Sequence, residues 1–353
     1  MAIFEIKTIK CLTGVDLAEH NLPVMVLDSG KEGPVVWLFG ALHGDEVNGV
    51  EVIHRIFKFF KRQPLKKGKI YALPIANPWG FELGRRENPF DLLDMNRQFP
   101  GDPEGSTSER IDYAIFKFIT ETKPTVFIDL HADYIGAIPH IIVDRVKKHA
   151  QEVGEKTWEF VNKFGLTSSE ELEGYETEKS LSAVLINEAK IPAFTVELGG
   201  TKVISEPFVR AGVSGIKNIL KYLDMIDYPK YWESETKIKT SKRLKLVEYV
   251  TCNESGIIKF LVRPGQKVKE NKPLAKIKDV LGRTRDIVTA PVDCYVIACA
   301  DTAVSFPGSF LFLLAAEAPK VPESKKAKVA ETKTEEPPKE APKDIKTEKE
   351  SPK

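Results

Sequence analysis

The chain has 353 residues, 42% of them hydrophobic and 29% charged, which suits a globular protein of about two domains. Lys+Arg number 52 against 51 Asp+Glu, a formal net charge of +1, so the charge balance calls for neither nucleic acid nor an anionic membrane as partner. The longest strongly apolar run, Phe310 to Ala316, is far short of the ~20 residues that span a bilayer. The N-terminal MAIFEIKTIK carries charges and no apolar signal core, and the four cysteines form no CxxC pair, so a cytoplasmic protein with reduced thiols is expected.

The first predicted element is VVWLF, Val35 to Phe39, a continuous β-branched and aromatic run of the kind buried on both faces of a sheet. GALHGDEVNG follows it directly, with His43 and Glu46 three apart at a strand-to-helix junction where Gly40, Gly44 and Gly49 allow tight turning. An imidazole and a carboxylate so spaced can converge on one cation; taken alone, such a pair is more often a helix cap plus a solvated charge. A helix is predicted from near Asp45, with Val50, Ile53, Phe57 and Phe60 on one face. A second strand, IYALPI (Ile70 to Ile75), leads into a loop-like stretch from Asn77 to Gly101 carrying Arg85, Arg86, Asn96 and Arg97. Arginines on such a loop can grip a carboxylate with paired hydrogen bonds or stabilise an oxyanion, although singly they read as surface charges. Ser106 and Glu109 form a candidate capping box before a helix with Ile111, Ile115, Phe118 and Ile119.

TVFIDL (Thr125 to Leu130) is the third strand, and His131 follows it at a strand carboxyl end, where open α/β sheets place their sites. His43, Glu46 and His131 together make the two-histidine, one-carboxylate set of a catalytic zinc; a hydrogen-bonded core histidine is the plain alternative for His131. Asp129 either orients a ligand from behind or is an ordinary buried, hydrogen-bonded carboxylate. HIIV (His140 to Val143) and AFTVEL (Ala193 to Leu198) complete the strands, the latter carrying Glu197. A carboxylate in a buried run needs a partner or a job; beside a zinc site it would serve as general acid/base, and otherwise as one half of a salt bridge. His20, His54, His140 and His149 read as structural or exposed. Strands alternating with helices predict an α/β sheet covered on both faces.

From about Lys239 to Ala316 short strand-like runs broken by turns, such as SGIIKFLV, KPLAKI and DCYVIAC, predict a small all-β unit. From Pro319 onward the sequence is rich in Lys, Glu and Pro and has no aromatic residue, the composition of a disordered tail. The expected organisation is therefore a catalytic domain over 1–232, a β domain over 239–316 and a tail over 319–353. No GxGxxG after a strand, P-loop, HExxH or GxSxG is present.

Four ordered segments, HGDE (His43 to Glu46), the Asn77-Pro78…Arg86…DMNRQFPG run, DLH (Asp129 to His131) and VELGG (Val196 to Gly200), resemble the succinylglutamate desuccinylase/aspartoacylase family, relatives of the zinc carboxypeptidases. The resemblance implies a zinc-carboxypeptidase-like mixed sheet with helices on both faces. It implies one Zn2+ per chain held by His43, Glu46 and His131, with Glu197 as the catalytic carboxylate. Arg86 would polarise the scissile carbonyl, its neighbour Arg85 being the alternative, and Asn96 and Arg97 would hold the carboxylate of an N-acyl amino acid. The β unit resembles the family's barrel-sandwich domain, related in form to biotinyl and lipoyl carriers. Its tip, Val280-Leu281-Gly282-Arg283, has no modifiable lysine, so it is expected to cap or shape the cleft.

Two departures stand out. Met95 replaces a usual leucine, a volume-conserving change. Ala132-Asp133-Tyr134 follows His131 where the family often has a Thr-Gly turn; this puts substrate size and charge preference in question, and Asp133 facing the pocket would disfavour an acidic acyl group. The expected function is zinc-dependent hydrolysis of the amide bond of a small N-acyl amino acid or similar carboxylate-bearing N-acyl amine. The expected partner is that small molecule, with no nucleic acid or membrane, and a homo-oligomer is compatible with the sequence. The alternatives are a metallocarboxypeptidase acting on peptides and a non-catalytic metal-binding or scaffold protein.

Overall fold

The computed structural model describes residues 3–61, 63–172, 177–232, 238, 240, 243–247 and 250–317; the expected tail from Pro319 lies outside the described residues. The elements in chain order are β1 (Ile3–Thr13), β2 (Glu19–Asp28), β3 (Val35–Gly40), α1 (Asn48–Phe60), β4 (Lys69–Leu73), α2 (Pro78–Leu83), α3 (Thr107–Glu121), β5 (Val126–His131) and β6 (His140–Val143). They continue with α4 (Gln151–Phe164), β7 (Thr167–Glu170), α5 (Leu181–Asn187), β8 (Ala193–Glu197) and α6 (Glu206–Tyr222).

These strands lie in the order β1-β2-β4-β3-β5-β8-β6-β7. The centre is parallel, β4 with β3, β3 with β5 and β5 with β8, while β6 runs antiparallel to β8 and the β1–β2 hairpin closes one edge. The apolar runs are buried on both faces, as their lack of alternation predicts. Val36, Leu38, Ile128 and Leu130 join the core under α1, α4 and α6. Trp37, Phe39 and Phe127 join the opposite core under α3 and α5.

Helix α1 begins at Asn48, three residues after the predicted start. Residues 42–47 are held as an irregular turn, and the Asn48 amide donates to the Leu198 carbonyl at 2.7 Å while its oxygen accepts from Ser205 N at 2.7 Å. The start of α1 is thereby tied to the segment that follows β8. The predicted capping box is present at α3, Ser106 Oγ accepting from Glu109 N and Glu109 Oε2 from Ser106 N.

The C-terminal β-rich region comprises β9 (Leu244–Leu246), β10 (Val250–Thr251), β11 (Gly256–Phe260), β12 (Lys267–Val268), β13 (Pro273–Lys278), β14 (Thr284–Thr289), β15 (Cys294–Cys299), β16 (Val304–Ser305) and β17 (Phe310–Glu317). One layer, β14-β13-β11-β16, is a separate four-stranded sheet; the other, β9-β17-β15-β12, continues the main sheet through a parallel β7–β9 pairing. Cys252, Leu274, Ile277, Val296 and Phe312 are among the apolar side chains packed in this region's core. This region also clamps the segment after His131: Asp301 accepts from Ile135 N (2.7 Å) and Gly136 N (3.2 Å), and Tyr134 stacks on Phe310 with ring centres 5.4 Å apart. Among the described residues, no helix is long and apolar enough to cross a membrane.

Candidate metal centre and substrate cleft

The chain leaves β3 for β4 on one side and places β5 on the other, so the crevice at the carboxyl ends of β3 and β5 is a topological switch point. His43 and Glu46 come from the turn after β3, and His131 ends β5. Glycine is required in that turn and at the start of α1. A Cβ on Gly44 would lie 2.0 Å from the backbone of Gly80, and one on Gly49 would lie 2.7 Å from the Leu130 carbonyl oxygen. Ala41, just ahead of the turn, is held at a left-handed φ of 45°.

The three side chains are buried and converge. Glu46 Oε1 is 2.7 Å from His43 Nδ1, Glu46 Oε2 is 3.0 Å from His131 Nδ1, and the two Nδ1 atoms are 3.1 Å apart. Zinc–ligand bonds of 2.0–2.1 Å in a tetrahedron put donor atoms roughly 3.3 Å apart, so the cluster has the span of a divalent-cation cage. The outer ring atoms point to the same reading. His43 Nε2 meets Asp94 Oδ1 at 3.1 Å, and His131 Nε2 lies 3.0 Å from Asp129 Oδ2, at ion-pair distance though off the line of the ring N–H. A carboxylate behind each histidine favours a proton on Nε2 and turns the Nδ1 lone pair inward. Burial pulls the His131 pKa down, but Asp129 and Glu46 outweigh it and raise the pKa well above the ordinary histidine value. A positive charge is favoured at this point, and a cation on the inner nitrogens would supply it.

Asp94 is the residue the sequence reading passed over. Besides holding His43 it accepts from Arg86 Nη2 at 2.9 Å and from Asn96 N at 2.9 Å. Burial alone would raise its pKa, but His43 and Arg86 hold it far below the usual carboxylate range. Its signal was available: a carboxylate two residues before the candidate Asn96, in an Asx turn. Between the adjacent arginines the structure distinguishes clearly. Arg86 lines the cleft, its Nη1 3.1 Å from His43 Nδ1, whereas Arg85 is not among the lining residues. Asn96 and Arg97 line the cleft too; the Asn96 side-chain oxygen accepts from Leu181 N at 2.9 Å, which leaves its NH2 for a ligand.

Glu197 lies opposite His131 in the β5–β8 register, and its Oε2 is buried without a hydrogen-bond partner among the described residues. Burial, and then the charge of Asp133, raise its pKa to about 8. Asp133, pushed up to about 8 chiefly by burial, lines the same cleft. Behind both sits His140, whose pKa burial lowers, with Nδ1 donating to the Ile138 carbonyl at 3.0 Å. His149 bonds to the Asn187 carbonyl at 2.8 Å and His20 packs edge-on against Trp79, away from the centre. The cleft encloses about 450 Å³ and also takes in Asp144 and Glu171, with Leu313 of β17 on its wall.

The sequence model of the succinylglutamate desuccinylase/aspartoacylase catalytic domain matches residues 32–223. The chain belongs to that family. An N-alpha-acetyl-L-2,4-diaminobutyric acid deacetylase from Halomonas elongata is 28% identical over 284 residues, 77% of each chain. The crystal structure of an aspartoacylase family protein from Mesorhizobium loti matches with a TM-score of 0.74 at 20% identity, over 90% of this chain and 96% of that one. A metallo-carboxypeptidase from Burkholderia cenocepacia matches with a TM-score of 0.52 at 15% identity, over 62% of this chain and 65% of that one. The fold is thus that of the family, with the carboxypeptidase-like mixed sheet at its centre. The family's matched span carries every residue described at the metal centre.

Proposed function

We propose that this chain is a zinc-dependent deacylase that cleaves the amide bond of a small N-acyl amino acid. The observation that carries the reading is the convergence of His43 Nδ1, Glu46 and His131 Nδ1, each histidine backed by a carboxylate, with Glu197 one strand away. Membership in a family named for deacylases, and a relative named as a deacetylase of an N-acetyl amino acid, support the reaction class.

Zinc held by His43, Glu46 and His131 would supply Lewis-acid polarisation of water and of the amide carbonyl. Glu197 takes a proton from the attacking water and returns it to the leaving nitrogen. Its raised pKa suits both directions near neutral pH. Arg86, aligned by Asp94, donates to the carbonyl oxygen as it gains negative charge. Asn96 and Arg97 hold the carboxylate of the amine half. A cleft of about 450 Å³ walled by Leu313 fits a small molecule, which favours this reading over a carboxypeptidase acting on peptide chains.

The test is elemental analysis of wild type and Glu197→Gln together with hydrolysis of a panel of N-acyl amino acids and short peptides. About one zinc per chain in both proteins is expected, with the variant slowed roughly 10²–10⁴-fold, the range for loss of a general acid/base. Peptide cleavage in place of deacylation would move the protein to the carboxypeptidase reading. Failure of wild type to take up any metal would overturn the ligand assignment.

A further inference from the structure

The cleft is rich in carboxyl groups. Six carboxylates line it, those of Asp45, Glu46, Asp133, Asp144, Glu171 and Glu197, against two guanidinium groups. Glu46 is committed to the metal centre and Glu197 to proton transfer, and Asp94 already neutralises Arg86. That leaves Arg97 as the guanidinium whose charge acts on Asp144 and Glu171.

Asp144 directly follows β6 and is 5% exposed. Among the described residues its two oxygens accept from the hydroxyls of Ser180 and Ser182. Among the described residues no cation lies within ion-pair distance of Asp144 or Glu171, and Arg97 acts on both from beyond that range. The adjoining residues 173–176 contain no basic side chain in sequence. A buried carboxylate held by neutral hydroxyls alone keeps much of its desolvation cost unless a cation joins it. Nearer the metal centre, both oxygens of Asp133 are buried and without a hydrogen-bond partner among the described residues. An acyl group carrying its own carboxylate would meet that oxygen pair.

We propose that Asp144 and Glu171 form a subsite for an ammonium group beside the carboxylate subsite of Arg97, so that the amine half of the substrate carries a free amino group as well as its carboxylate. The substrate class is then a mono-N-acylated diamino acid, with a neutral acyl group. This rests on the deacylase reading above. The hydroxyls of Ser180 and Ser182 orient the Asp144 carboxylate, and Arg97 and Asn96 take the carboxylate of the same molecule. The two charges of the amine half are read by opposite charges fixed just after β6, just after β7 and on the Met95–Arg97 turn.

The experiment uses the zinc-loaded full chain. Mono-N-acetyl-2,4-diaminobutyrate, in both acetyl isomers, is compared with N-acetylnorvaline, which replaces the side-chain ammonium by methyl, and with N-acetylaspartate. Wild type is expected to favour one diaminobutyrate isomer over both comparators by about 10–100-fold in kcat/KM, the range for a hydrogen bond to a charged group. Asp144→Asn and Glu171→Gln are each expected to erase most of that preference while the rate on N-acetylnorvaline stays within a few-fold. Glu171 is partly exposed and tests the idea even if Asp144→Asn folds poorly. Equal rates on the diaminobutyrate and norvaline derivatives, or a preference that survives in both variants, would overturn the subsite. Calorimetric binding of free 2,4-diaminobutyrate against norvaline separates the two readings. Preferential binding without any hydrolysis would sink the deacylase and keep the subsite, and equal binding with hydrolysis would do the reverse.

Discussion

At the scale of single residues, the centre is built from two shells whose members were unequally visible. His43, Glu46 and His131 were legible because ligand chemistry needs particular residue types at strand ends. Asp94 acts on His43 from 51 positions away in sequence, a pairing that no local spacing encodes. Asp129 was left between two roles, and its Oδ2 lies 3.0 Å from His131 Nε2. Asp94→Ala and Asp129→Asn are therefore expected to weaken zinc retention about 10–100-fold, the usual effect of losing a ligand's outer partner, as read by competition against a chromogenic chelator. Retention equal to wild type in both would show that the carboxylates do not set the ring orientation.

At the scale of elements, the buried strands announced themselves through unbroken apolar runs, and α3 through its capping box. The β1–β2 hairpin was missed. As an edge strand half open to solvent, β1 places Ile3, Phe4 and Ile6 in exposed positions, so neither clean alternation nor a continuous buried run marks it. Helix α3 hides a cost. Asp112 is fully buried with both oxygens unpartnered among the described residues, and burial, then Asp94 and Asp91, push its pKa well above the usual value. The folded protein therefore holds a proton that the unfolded chain releases above about pH 3.9. Where the native state binds more protons, stability falls as pH rises, so this group destabilises progressively from that point up to its folded pKa. Asp112→Asn is expected to raise the urea midpoint at pH 8, by about 1–3 kcal/mol in stability, with the gain shrinking toward pH 4.5. A gain of the same size at both pH values would show that the charge is not the cause.

At the scale of the whole molecule, the C-terminal β-rich region is joined to the catalytic sheet by β7–β9 pairing and grips the segment after His131 through Asp301, Gly136 and Ile138. Of this region Leu313 lies on the cleft wall, whereas Leu281 at the β13–β14 tip is 73% exposed and is not among the lining residues. Asp301→Ala is expected to lower kcat/KM about 10-fold with zinc content unchanged, because sub-ångström displacement of Asp133 and Tyr134 is felt in positioning. Unchanged kinetics would remove the region from any part in the chemistry. On the proposed zinc reading, a chelator should lower the Tm reversibly, since a ligand bound only by the native state at 100 times its Kd adds about 2.7 kcal/mol; an unchanged Tm would argue against a buried metal.

The sequence by itself determined which runs are buried on both faces and which residue types could bind a cation, because these follow from side-chain chemistry and local periodicity. It also placed Glu197 at a strand end and questioned Asp133. Tertiary structure alone decided which strands are neighbours. Only when β3, β5 and β8 lie side by side do His43, His131 and Glu197 meet, and only then does Arg86 rather than Arg85 face them. The same holds for Asp144 and Glu171, which only the packing of distant segments brings to one cleft. Convergence across 50 to 150 residues is fixed by sheet order and packing, which no short-range pattern records.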